Sequence, residues 1–141
     1  MLRTFPKKLN KIFFVCTGSE ANDLAYRIAQ TYTNAKDVFV IDNAYHGHTN
    51  ALIDLSPYKF NGKGGLGKKN YVHVLDMPDP LRGKWQYEDN NWINKYINDA
   101  KDKIKIQSKI KKISSLFVES ILGCGGPVSY THLTLPTILR V

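Results

Sequence analysis

An α/β fold with a mostly parallel sheet flanked by helices is predicted by three features of this 141-residue chain. Short β-branched and aromatic runs at residues 12–15, 38–41 and 116–118 are continuously apolar, as strands buried on both faces of a parallel sheet are. Between them, apolar residues recur at steps of three and four, the period of an amphipathic helix. Strand-like and helix-like segments therefore alternate, which favours crossover connections over hairpins.

Ile12, Phe13, Phe14 and Val15 form the first predicted strand. A sharp turn follows, with Thr17 and Glu20 at the spacing of a capping box that would fix the start of a helix. Along that helix Ala21, Leu24, Ala25, Ile28 and Tyr32 are expected to face inward, and Asp23, Arg27 and Gln30 outward. Val38, Phe39, Val40 and Ile41 give the second strand, closing a right-handed βαβ unit. Residues 43–50 then form a loop at the carboxyl edge of that strand, where open α/β sheets place their ligands. Residues 61–69, rich in glycine and lysine, read as a surface loop, because the Walker spacing is missing. A short strand is expected at residues 71–75, a break at Pro78 and Pro80, and a long helix over about residues 89–112. Leu116, Phe117 and Val118 complete the strands and run into Glu119.

A chain of this length accommodates one domain. Its apolar and charged fractions, 43% and 23%, are those of a soluble globular protein, and no run is long enough to span a bilayer. The residues after Met1 contain no secretory apolar core, so an intracellular setting is expected, cytoplasmic or mitochondrial. Cys16 and Cys124 are far apart and expected to be free thiols. The net charge of +8 admits an alternative function, a small basic α/β module that binds nucleic acid or another polyanion. Many lysines, however, lie between Lys95 and Lys112, interleaved with Ile93, Ile97, Ala100 and Ile104, as on the solvated face of a surface helix. No nucleic-acid partner and no membrane are therefore expected.

Two constellations carry chemistry. The helix that opens at Gly18 and Ser19 presents free backbone N–H groups and the positive end of its dipole, a ready site for an anion. Gly18 permits close approach of a phosphate, and the Ser19 hydroxyl can add a hydrogen bond. Tyr45-His46-Gly47-His48 lies on the loop at the same sheet edge. Three readings of it stand: the histidines ligate zinc with help from distant residues, a histidine makes a structural hydrogen bond, or Tyr45 covers a flat heteroaromatic ring.

The run from Phe14 to Asp23, followed by Asn43-Ala44-Tyr45-His46-Gly47-His48, resembles the large domain of class III aminotransferases, fold-type I enzymes that use pyridoxal phosphate. Ser56-Pro57-Tyr58-Lys59-Phe60, Arg82-Gly83-Lys84, Glu119-Ser120 and Cys124-Gly125-Gly126 resemble the branch that contains the ethanolamine-phosphate and phosphohydroxylysine phospho-lyases. The resemblance implies that Gly18 and Ser19 hold the cofactor phosphate and that Tyr45 stacks on the pyridine ring. It further implies that His46 and Gly47 shape the loop and that Glu119 is the acidic residue near the cofactor. An amine or phosphorylated amine substrate and a homodimer are implied for the full-length enzyme.

Cys16-Thr17 stands where the family has Asn-Ser, a mild departure that keeps a short side chain before the glycine. Residues 127–141 depart entirely, with two prolines and one charged residue. The expectation is a partial large domain over residues 1–126, and beyond it a tail unrelated to the family, spurious or disordered. The N-terminal arm, the aspartate for the pyridine nitrogen and the reactive lysine are expected to be missing. No catalytic residue and no metal ligand is assigned, and the chain is expected to be inactive by itself.

Overall fold

The computed structural model describes residues 4–6 and 8–126, so the expected tail lies outside the described residues. Its elements in chain order are α1 (Gly18–Thr33), β1 (Asp37–Ile41), α2 (Asn50–Asp54), α3 (Pro57–Phe60), β2 (Val72–Leu75), α4 (Trp92–Ile110) and β3 (Ile113–Phe117). The three strands form one parallel sheet in the order β2-β1-β3. Val38 pairs with Val72 on one side of β1, and Phe39 pairs with Leu116 on the other. The register slips between Asp37 and Val38, and there the Ser114 hydroxyl donates to the Asp37 carbonyl at 2.8 Å. That bond satisfies a carbonyl at the interrupted ladder.

Alternation along β1 divides the core. Val38 and Val40 face Tyr26, Leu52, Leu55 and Phe60, so α1, α2 and α3 cover one side of the sheet. Phe39 and Ile41 face Leu75 and Leu122, with Ala100 and Ile104 of α4 packed over them. The inward face predicted for the lysine-rich helix is thus correct at Ala100 and Ile104. Its lysines lie outside, where Lys103 pairs with Asp99 at 2.8 Å and Asp76 at 3.1 Å. Cys16 and Cys124 are free thiols, as expected.

Two expectations fail, for related reasons. Residues 11–15 form no strand, and Phe13 and Phe14 are 67% and 79% exposed, so the βαβ unit predicted to begin there is absent. A strand is held by a hydrogen-bonded neighbour, and none among the described residues flanks this segment. Helix α1 is also rotated from its expected orientation. Tyr26 is its buried residue, with Asn22, Ala29 and Thr33 half-buried on the same stripe. Ala21, Ala25, Ile28 and Tyr32 face outward, and Tyr32 is 90% exposed. The Tyr26 hydroxyl fixes this rotation by donating to the Lys36 carbonyl at 2.7 Å, and its ring meets Phe117 edge-on at 6.0 Å.

With Phe13 and Phe14 exposed, the isolated chain is expected to self-associate. Replacing both, as Phe13→Ser with Phe14→Ser, is expected to lower concentration-dependent association in light scattering without altering the far-UV circular dichroism.

Candidate functional site

The turn into α1 is built as a capping box. Thr17 Oγ1 accepts from the Glu20 N–H at 3.1 Å, and Glu20 Oε2 accepts from the Cys16 N–H at 2.7 Å. These bonds serve the flanks and leave the Gly18 and Ser19 N–H groups without an acceptor among the described residues. A Cβ built on Gly18 meets nothing within 4 Å, so no neighbour crowds the turn at that residue.

The loop after β1 is held beside this turn by four residues. Asn22 Nδ2 donates to the His46 carbonyl at 2.8 Å, and Ser19 Oγ accepts from the His48 N–H at 3.2 Å. From the other side, Ser56 Oγ accepts from the His46 N–H at 2.9 Å while donating to the Leu52 carbonyl at 2.6 Å. Beyond β3, Glu119 Oε1 accepts from the Tyr45 N–H at 2.5 Å, and its Oε2 accepts from the Gly123 N–H at 3.1 Å. The five residues expected at the site, Gly18, Ser19, Tyr45, His46 and Glu119, are therefore brought to one edge of the sheet.

Their surroundings differ. The Tyr45 ring is half-buried, meets Tyr58 edge-on at 6.5 Å and has the Lys59 ammonium 5.5 Å from its centre. The His46 imidazole turns into the core, 6% exposed, and lies 5.4 Å from the Phe117 ring. Burial pushes its pKa down from 6.5 to about 4, and its Nε2 has no partner among the described residues. His46 thus shapes the loop from beneath. The Ser19 hydroxyl is engaged by His48, whose Nδ1 lies 2.9 Å away. Gly47 is the hinge of the contact. With φ of +145°, a Cβ there would lie 2.6 Å from Leu52 Cδ1 and 2.8 Å from Ser19 Oγ.

Among the described residues no group of three or more His, Cys, Asp or Glu side chains could hold a metal, which disfavours the zinc reading. A separate cleft of about 540 Å³ opens beside Tyr58, lined among others by Asp42, Asp76, Arg82 and Lys84. Its cations are already matched, Arg82 by the buried Asp79 at 2.9 Å and Lys84 by Asp99 at 3.4 Å and Asp76 at 3.7 Å. Asn22, Ser56 and His48 are site residues that sequence reasoning did not assign to it. Asn22 and His48 sit inside the two motifs read as chemistry, whereas Ser56 opens the Ser56-Pro57-Tyr58-Lys59-Phe60 segment, which carried the branch resemblance but no site role.

A strand-end loop pinned to a helix N-terminus on a parallel sheet is found in many proteins, and the decision comes from likeness. The family model for aminotransferase class III matches residues 1–139. The chain belongs to the class III aminotransferases.

Among relatives in this family, alanine–glyoxylate aminotransferase 2-like of Drosophila melanogaster is 40% identical over 87% of this chain and 26% of its own length. Ethanolamine-phosphate phospho-lyase homolog 1 of Caenorhabditis elegans is 38% identical over 91% of this chain and 29% of its own length. This class III chain thus spans just over a quarter of the relatives it matches. A solved amine transaminase from an uncultivated Pseudomonas species, in its pyridoxal-phosphate-bound form, superposes with a TM-score of 0.73 at 19% identity, covering 88% of this chain and 29% of that one. That likeness establishes the fold, part of the sheet-and-helix domain of the pyridoxal-phosphate-dependent transaminases.

Two outcomes are expected. Gly47→Ala should cost about 1–3 kcal/mol in urea denaturation, since the new methyl meets Leu52 and Ser19 in a backbone conformation that L side chains rarely adopt. The second concerns pH. His46 is neutral in both states above pH 6.5, and between pH 6.5 and about 4 only the unfolded chain takes up the proton. Stability should therefore fall over that window, by on the order of 3 kcal/mol, because each pKa unit of difference is worth about 1.4 kcal/mol. Denaturation at a series of pH values should show this slope flattened in His46→Gln.

Proposed function

We propose that this chain carries the phosphate-holding and ring-covering part of a pyridoxal phosphate site, belonging to a transaminase or to a phospho-lyase acting on a phosphorylated amine. The observation that carries the reading is the pair of unpaired N–H groups at Gly18 and Ser19, held against the Tyr45 loop in a chain of this family. The donor set suits the cofactor. Two amides at a helix N-terminus favour a dianion, and a half-buried tyrosine beside them suits a flat heteroaromatic ring. When bound, pyridoxal phosphate supplies an electron sink that stabilises negative charge on a substrate carbon.

The chain's own residues do the holding. Gly18 and Ser19 bind the phosphate, and Tyr45 covers one face of the ring and keeps water from it. Glu119 acts through the backbone, since its carboxylate fixes the Tyr45 amide. The names of the two relatives support an amine or a phosphorylated amine as the substrate of the whole enzyme, which we take to be a homodimer. Covalent chemistry with this cofactor needs a lysine, and we assign that role to none of the lysines of this chain. By itself the 141-residue chain is expected to bind without turning over.

Titrating the chain with pyridoxal phosphate should give a saturable absorbance change that Ser19→Ala and Tyr45→Ala each weaken, by about fivefold or more. Borohydride treatment should label no single lysine stoichiometrically. Stoichiometric labelling at one lysine, with turnover of an amine, would refute the claim of inactivity.

A further inference from the structure

We propose that His48 is a positioning residue for the anion site, acting by controlling where the Ser19 hydroxyl proton points; this rests on the reading of Gly18 and Ser19 as a phosphate cradle. The geometry is specific. Two nitrogens of the same residue converge on one oxygen, the His48 backbone N at 3.2 Å and the imidazole Nδ1 at 2.9 Å from Ser19 Oγ. The backbone N–H can only donate. A serine hydroxyl has two acceptor positions and one proton, so the tautomer of the imidazole decides what remains.

With the proton on Nε2 alone, Nδ1 is an acceptor and takes the Ser19 proton, leaving the hydroxyl nothing to donate. With a proton on Nδ1, the backbone and the ring both donate into Oγ, fill its two acceptor positions and release its proton for a third partner. An anion on the Gly18 and Ser19 amides is that partner, because it accepts from the freed hydroxyl. Anion binding and protonation of Nδ1 therefore favour one another, with no new contact between His48 and the ligand required. Gly47 allows the arrangement, since any Cβ there would lie 2.8 Å from the same Oγ. His48 is exposed and its ring bonds only Ser19 among the described residues, so substitution leaves the core untouched.

The test uses the 141-residue chain labelled with 15N-histidine, titrated separately with inorganic phosphate and with pyridoxal phosphate. The tautomer of each ring is read from its two nitrogen shifts, and the His48 signals are assigned by their loss in His48→Ala. Saturation with either ligand is expected to move His48 to the Nδ1–H form. Affinity for both should change by less than about threefold in His48→Ala, where no ring acceptor competes with the anion for the hydroxyl proton, and in His48→Asn, whose amide N–H can donate to Oγ from near the Nδ1 position. Binding with Nδ1 still unprotonated, or a loss of about tenfold or more in His48→Ala, overturns the inference and leaves the cofactor reading standing. Inorganic phosphate binding with the His48 change while pyridoxal phosphate does not bind overturns the cofactor reading alone. If neither binds, both fall.

Discussion

Glu119 is the constraint on which the site depends. Its two carboxylate oxygens accept from backbone amides of different loops, Tyr45 after β1 and Gly123 after β3, so one side chain joins the carboxyl ends of adjacent strands. A carboxylate receiving backbone N–H donors makes charge-assisted bonds, stronger than neutral ones. The Tyr45 loop is then closed from the other face by Asn22 and Ser19 of α1 and from below by Ser56. No residue of the loop from Tyr45 to His48 belongs to a helix or strand, yet every one has a bond or steric limit imposed from elsewhere. That is how an irregular segment is held at an edge where a ligand must find it in place.

What was legible in the sequence was what local chemistry decides. Thr17 and Glu20 announced the start of α1 because capping acts over four residues. The run at Val38 announced a strand because its side chains are buried on both faces, whereas at β3 the sheet is correctly placed although Leu116 is 38% exposed. The rotation of α1 was not legible. Its two stripes, Ala21 to Tyr32 and Asn22 to Thr33, have the same helical spacing, and the choice between them is made by a distant carbonyl at Lys36 and a distant ring at Phe117. Residues 12–15 failed likewise. Their composition is that of a strand, but composition does not provide the neighbour that a ladder needs.

The candidate site shows the same division. Gly18, Ser19 and Tyr45 were found because motif and spacing coincide, and the family match over residues 1–139 gives that coincidence its meaning. Glu119 was expected near the site, but its tethering role and that of Ser56 were not legible. Ser56 and Glu119 reach the loop from ten and 74 residues away, and such pairings leave no periodic trace. Helix α1 has two roles in the proposed site, since its first turn leaves amides without an acceptor among the described residues while Asn22, one turn further along, holds the loop that borders them. A change that tilts this helix would move both halves of the site at once.

The strand order β2-β1-β3 has a consequence for how the chain comes together. Every rung of a parallel sheet joins residues distant in sequence, and here the central strand precedes both of its neighbours. During synthesis β1 can acquire β2 early, across α2 and α3. Its second edge must wait until the whole of α4 has emerged and β3 behind it. Throughout that interval Phe39 and Ile41 await their cover, and the tether from Glu119 to Tyr45 does not yet exist. Long-range closure of this kind slows folding and prolongs exposure of unpaired edges. Among the described residues, Glu119 is thus both the latest-synthesised contributor to the site and the one that holds its loop in place.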